Sequence, residues 1–208
     1  MCNLYSMTKS REALVAYTRA MRDSTGNQPP LPAIFPDQLA PVVRTAKDGV
    51  REVVTMRWGF PAAGDGKRLV TNVRNLNSGY WRGWLDDPRF RCLVPATSFV
   101  EYTDTAPKVA HWFALAPERP LFCFAGLWRP WTGVRGKEEG EHQLFAILTT
   151  DANDLIKPIH AQAMPVMLTG DALETWMHRS ASEARALARP FAAEAMQIVL
   201  SGPREDVG

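Results

Sequence analysis

The sequence predicts an α+β fold with a β-rich core and peripheral helices, and three observations carry that prediction. The middle of the chain is a series of short segments rich in β-branched and aromatic residues, "RCLVPATSFVEY", "VAHWFALA", "LFCFAGLW" and "HQLFAILTT". Turn-forming or charged stretches separate them, the pattern of mainly antiparallel strands. Helical spacing of apolar residues is confined to the two ends of the chain. Finally, 208 residues at 46% hydrophobic and 22% charged composition suffice for one sizeable core, with no internal repeat, so residues 1–208 read as a single compact domain.

From Ser10 to about Arg22, Leu14, Tyr17, Ala20 and Met21 recur at helical spacing among Arg11, Glu12, Arg19 and Arg22, an amphipathic helix with Thr8 or Ser10 as its cap. "GNQPPLPAIFP" combines Gly with four prolines and reads as an extended connection. "APVVR" and "VREVVTMRW" follow as strands, and then the central strand series. Residues 130–141, "PWTGVRGKEEGE", read as an exposed polar loop between two strands. Helices are expected over residues 151–156, 170–178 and 180–188, and "AMQIVL" as the last strand.

Composition excludes several classes. No apolar run reaches the length of a membrane span and no signal core follows the N-terminus, so the chain is expected in the cytoplasm with reduced thiols, and with no membrane partner. Cys2, Cys92 and Cys123 are too few and too widely spaced for a disulfide framework or a zinc pair, and the latter two sit in apolar runs where a buried cysteine is the ordinary reading. His111, His142, His160 and His178 have no ligand-like spacing, so no metal and no cofactor are expected. There is no GxGxxG, P-loop, HExxH or GxSxG. A net charge of +2 does not suggest a broad basic face for duplex DNA, although 24 Lys and Arg can line a local groove.

Cys2, in "MCNLY", is the most informative residue. Loss of Met1 would make it a terminus with an amine and a thiol on adjacent carbons, titrating near ~8 and ~8.5. Such a 1,2-aminothiol condenses with an aldehyde to an imine, on which the thiol closes a thiazolidine ring. On position alone, the ordinary reading of Cys2 is a small second residue that permits methionine removal, and the rest of the chain reverses it.

Four segments join it: "RWGF" (57–60), "TNVRN" (71–75), "RCLVPATSFVEY" (91–102) and "ILTTDANDLIKPIHAQAMPVML" (147–168). In this order behind a position-2 cysteine they resemble the SOS-response-associated peptidase (SRAP) family, whose members shield abasic sites in single-stranded DNA. The resemblance runs from Cys2 to about Leu168 and implies coiled β-sheets with flanking helices. It also implies a reactive Cys2 freed by loss of Met1, with Asn72, Glu101 and His160 as the other catalytic residues. Each has its own rationale. Glu101 ends an apolar run, where burial would raise its pKa and suit it to move protons. His160 supplies an imidazole, the side chain type that can shuttle protons near neutral pH, and Asn72 offers both a donor and an acceptor. Without the resemblance these three read as a strand-end glutamate, a loop histidine and a turn residue.

For DNA, the resemblance assigns a phosphate contact to Arg74, and sequence context adds Arg57, Arg82 and Arg91. Trp58 and Trp81 are candidate stacking surfaces for unpaired bases, though large aromatics in β-rich domains ordinarily pack the core. The partner expected is single-stranded DNA carrying abasic sites, bound by a monomer that joins the nucleoid when on DNA. The chain departs from the family pattern where Cys-Gly-Arg is replaced by Cys2-Asn3-Leu4 and Asn-Ala-Arg-Ala-Glu by Asn72-Val73-Arg74-Asn75-Leu76. His-x-Arg-Met-Pro becomes His160-Ala161-Gln162-Ala163-Met164-Pro165, one residue longer. The chemical group is kept and charge is lost from the DNA track. Autocatalytic Met1 release and a weak abasic-site lyase activity are further expectations from the resemblance. Two alternatives stay open: an N-terminal-nucleophile amidohydrolase using Cys2, and a non-catalytic single-strand-binding module.

Overall fold

Strand-forming residues dominate the chain from Leu31 to Thr150, and in the computed structural model, which describes residues 2–62 and 68–208, they build two main sheets. The principal elements are β1 (Tyr5–Met7), α1 (Arg11–Thr18), β2 (Leu31–Ile34), β3 (Leu39–Thr45), β4 (Arg51–Trp58), α2 (Gly79–Asp86), β5 (Arg91–Ala96), β6 (Ser98–Tyr102), β7 (Ala110–Ala114), β8 (Phe122–Arg135), β9 (Glu138–Thr150), α3 (Ala172–His178), α4 (Ala181–Ala186) and β10 (Gln197–Ser201).

The smaller sheet is antiparallel, in the order β10-β7-β6-β1-β2. The larger runs β9-β8-β5-β3-β4, and β9 also pairs in parallel with β4 (Leu144↔Arg57, Phe145↔Trp58), which closes these five strands into a ring. Closure removes the open edges that a strongly twisted sheet otherwise exposes. The short strand Asn72–Val73 adds to β9 in parallel, Ile147 opposite Asn72. Of the expected connection "GNQPPLPAIFP", residues Leu31–Ile34 are a strand, β2, the edge strand beside β1.

"RCLVPATSFVEY" is two strands rather than one. It breaks at Thr97, so that β5 enters the ring and β6 the smaller sheet, and the segment ties the two sheets together. Their shared core is aromatic: Tyr5 meets Trp58 edge-on at 5.1 Å and Phe124 at 5.7 Å, while Trp58 stacks with Phe145 at 6.3 Å. Burying an indole completely contributes on the order of 3 kcal/mol. Gly126 is required where β8 crosses β5, since a Cβ there would lie 2.8 Å from Cys92 Sγ and 3.0 Å from Val94.

Several expectations are corrected. The polar stretch 130–141 is largely strand: β8 and β9 stay paired from Gly126↔Ile147 to Arg135↔Glu138, and the turn is made at Gly136, with φ +63°. The Ser10 cap is present, its hydroxyl accepting from Ala13 N at 3.2 Å, but α1 ends at Thr18 because Arg19 turns left-handed with φ +53°. Residues 151–156 form turns rather than an α-helix. The helix α2, capped by Ser78, was not expected.

Candidate functional site

The first residues of the chain continue β1 beyond Tyr5 along β6. Val100 N donates to Leu4 O at 2.9 Å, which sets the start of the chain beside Glu101. Cys2 is fully buried there. Its carbonyl accepts from Asn72 Nδ2 at 3.0 Å, and its Sγ lies 3.8 Å from the carbonyl of Leu4. Asn72 reaches that position because its strand is held against β9 and because Trp58 Nε1 donates to Thr71 O at 3.0 Å. The same amide donates to Thr71 Oγ1 at 2.9 Å, while Asn72 Oδ1 is buried with no hydrogen-bond partner among the described residues. Such an orphaned acceptor is uncommon, since buried polar groups are ordinarily hydrogen-bonded.

Glu101 lies on β6 opposite His111 and is 2% exposed. Burial pushes its carboxyl up to about 7, so it exchanges a proton near neutrality. Burial, and then the negative charge of Glu101, push the Cys2 thiol well above the usual cysteine range. The thiol is therefore neutral at rest and needs a base to release its proton. His160 closes the group, its Nε2 lying 3.9 Å from Glu101 Oε2 and its Nδ1 2.9 Å from Asp104 Oδ1. Cys2, Asn72, Glu101 and His160 thus come from four separate parts of the sequence to one place. Met1, on which release of the Cys2 amine depends, lies outside the described residues.

The DNA candidates divide. Arg74 is exposed two residues beyond Asn72 and pairs with Asp151, and Arg82 is exposed on α2. Arg57 is committed to the ring: it donates to Asp37 O at 2.7 Å and to Glu138 at 3.0 Å. Arg91 is fully buried, giving Nε to Leu85 O at 2.7 Å and Nη1 to Arg179 O at 2.7 Å and to Trp176 O at 3.1 Å. It caps helix ends with three of its five N–H donors and, being fully buried, presents none of them to a phosphate. Trp58 is wholly buried and Trp81 is 6% exposed, so neither presents a face to a base. The buried ones share a physical reason: each lies where the ring is covered by a neighbouring strand or helix, so its side chain meets protein and not solvent.

Two features carried no local signal. Asp104 meets His160 across 56 positions of sequence, and only its order after Glu101 hints at it. Arg129 of β8 stacks over Trp84 at 4.3 Å and donates to Tyr80 OH at 3.2 Å, an aromatic cluster on α2 that the unexpected helix creates. Among the described residues no group of three or more His, Cys, Asp or Glu is arranged to hold a metal ion, and no helix is long and apolar enough to cross a membrane.

A closed β-ring joined to a smaller antiparallel sheet thus brings Cys2 together with Asn72 and Glu101. The same fold occurs in crystal structures of proteins from Bordetella bronchiseptica (TM-score 0.76, 21% identity, 97% of this chain and 98% of that one) and Bacteroides thetaiotaomicron (TM-score 0.78, 23% identity, 94% and 90%). The model of the SOS response associated peptidase (SRAP) family matches residues 1–201, and the chain belongs to that family. Curated relatives in Bacillus subtilis strain 168 are the abasic site processing protein YoqW, 34% identical over 91 residues (42% of this chain, 38% of the relative), and YobE, 29% identical over 134 residues (59% and 57%). The matched stretches thus span well under two thirds of either relative.

Proposed function

We propose that the protein processes abasic sites in single-stranded DNA by covalent capture through Cys2, once Met1 has been lost, and so shields the lesion during the DNA damage response. The observation that carries this reading is the placement of Cys2 between the Asn72 amide and Glu101, a carboxyl that exchanges protons near neutrality. Family membership and the printed names of YoqW and YobE support the same substrate.

The ring-opened abasic sugar is an aldehyde. The Cys2 amine adds to its carbon, water leaves, and an imine forms. The thiol then adds to that carbon, its proton ending on the nitrogen, so the ring closes with no oxidant or reductant. Glu101 is suited to protonate the departing oxygen and to take the proton of a thiol that burial keeps neutral. Asn72 Oδ1 is suited to accept from a sugar hydroxyl. Holding the aldehyde beside a pre-aligned amine and thiol supplies roughly 7–11 kcal/mol of the barrier. Arg74 and Arg82 are the exposed arginines left to meet phosphates, fewer than the sequence suggested. Met1 release, by the chain itself or by a methionine aminopeptidase, is the prior step. The chain acts as a monomeric domain in the cytoplasm, on the nucleoid when bound.

Intact mass spectrometry after incubation with an abasic oligonucleotide tests the reading. The expected adduct is the sum of both masses less one water, on a chain lacking Met1, and it survives borohydride without gaining two hydrogens. A reducible adduct would mean capture stops at the imine. Hydrolysis of a small amide with no adduct would favour the N-terminal-nucleophile hydrolase instead.

A further inference from the structure

We propose that Asp104 is a positioning residue that fixes the Nδ1–H tautomer of His160, directing the ring's Nε2 at Glu101 as its proton-exchange partner. As a step in catalysis this rests on the capture reaction proposed above.

Asp104 lies two residues beyond the end of β6, and His160 follows the turns at 154–159. The two segments are joined first through backbone, with Asp104 N donating to Ile159 O at 3.1 Å, while His160 N closes the turn within its own segment by donating to Ile156 O at 2.9 Å. The Asp104 carboxylate then takes two bonds, from His160 Nδ1 at 2.9 Å and from Ala161 N at 3.4 Å. The His160 bond, followed by that of Ala161, holds Asp104 below the usual carboxylate range. An ionised carboxylate only accepts, so Nδ1 carries the hydrogen and the neutral ring presents its lone pair at Nε2. That atom is 3.9 Å from Glu101 Oε2, with the imidazole 13% and the Glu101 side chain 3% exposed.

This arrangement fixes a route for the proton. A buried carboxyl that exchanges its proton near neutrality faces the Nε2 lone pair of the ring at 3.9 Å. A small closing movement lets Glu101 pass its proton to Nε2, leaving an imidazolium beside the Asp104 charge. Glu101 becomes the base that the Cys2 thiol needs. Among the described residues, the ionisable groups acting on this pair include Cys2 (whose thiol feels the charge of Glu101), Asp104 and, through its effect on Asp104, Lys108. Asp104 also grips Ala161, the first residue of the segment that is one residue longer than the family pattern, so a single side chain serves the ring and its lengthened loop.

The test is the tautomer of the His160 ring in the full chain, read by long-range 1H–15N NMR spectra assigned with His160→Ala, for wild type, Asp104→Asn and Asp104→Glu. Expected are a wild-type ring protonated at Nδ1 and, in Asp104→Asn, whose amide can donate to Nδ1 as well as accept from it, a mixture of both tautomers. Asp104→Glu restores the Nδ1–H form. Abasic-site capture should slow several-fold in Asp104→Asn and recover in Asp104→Glu. An Nε2–H tautomer in wild type, or an unchanged tautomer in Asp104→Asn, overturns the proposal whether or not capture occurs. A wild type with the expected tautomer that captures nothing instead removes the proposed function.

Discussion

Replacing Arg91 by methionine separates two roles that the sequence alone could not distinguish. In the structure its guanidinium makes three short bonds, to Leu85 O, Trp176 O and Arg179 O, and these carbonyls close the C-terminal ends of α2 and α3. Hydrogen bonds from a charged donor contribute about 1.5–3 kcal/mol each, and removing the donor leaves its acceptors buried without partners. Methionine fills much of the volume and returns some apolar contact, so the net loss is set at about 4 kcal/mol, within the range for breaking a buried charged group. For a chain of this size each kcal/mol moves the melting temperature by roughly 2–4 °C, so Arg91→Met should melt about 8–16 °C lower. Differential scanning fluorimetry with and without single-stranded DNA is the assay, run beside filter binding at a temperature where both proteins are folded. A variant that melts like the wild type but binds DNA several-fold more weakly would refute the reasoning and return Arg91 to the phosphate track.

Glu101→Gln should alter the pH dependence of stability. The folded carboxyl titrates at about 7, above its ordinary range, so its burial is fully tolerated below about pH 4.5 and becomes a cost as pH rises through 7. The melting temperature of the Gln variant relative to wild type should therefore increase from pH 5 to pH 8.5, toward a gain of roughly 3 kcal/mol; a constant difference would mean the carboxylate is not strained by burial. Asn72→Ala, which removes the bond to the Cys2 carbonyl, should cost about 1 kcal/mol of stability and slow capture about tenfold in a single-turnover assay. Arg74→Ala should leave melting within about 0.5 kcal/mol, since its partner Asp151 is exposed, while weakening DNA binding and reducing the salt slope by about one. Gly126→Ala, which drives a methyl against Cys92 Sγ, should destabilise by about 1–3 kcal/mol in urea titration.

The strands of the ring were legible because their apolar runs are long and bounded by turns, as in β4 and the first half of β8. The second half of β8 was not. In "PWTGVR" exposed and covered residues alternate over a polar face, and composition alone gives a loop where backbone pairing gives a hairpin. Glu101 and Asn72 were found from the family motifs, with burial of Glu101 foreseeable from the apolar run before it. Trp58 and Arg91 were misassigned for one reason: a tryptophan or arginine in a strand reads the same whether it faces solvent or is covered by distant parts of the chain, here the strand β9 over Trp58 and the ends of α2 and α3 over Arg91. Asp104 is the opposite case. An aspartate in a polar stretch carries no sign that a histidine 56 positions later will come to it.

The most direct test is a denaturing-gel assay of protein lacking Met1, wild type and Cys2→Ala, each incubated with single-stranded DNA containing one abasic site. The account predicts a covalent species from wild type and none from Cys2→Ala, with both proteins melting as folded domains. An equal yield of covalent species from Cys2→Ala, or none from folded wild type, would contradict it.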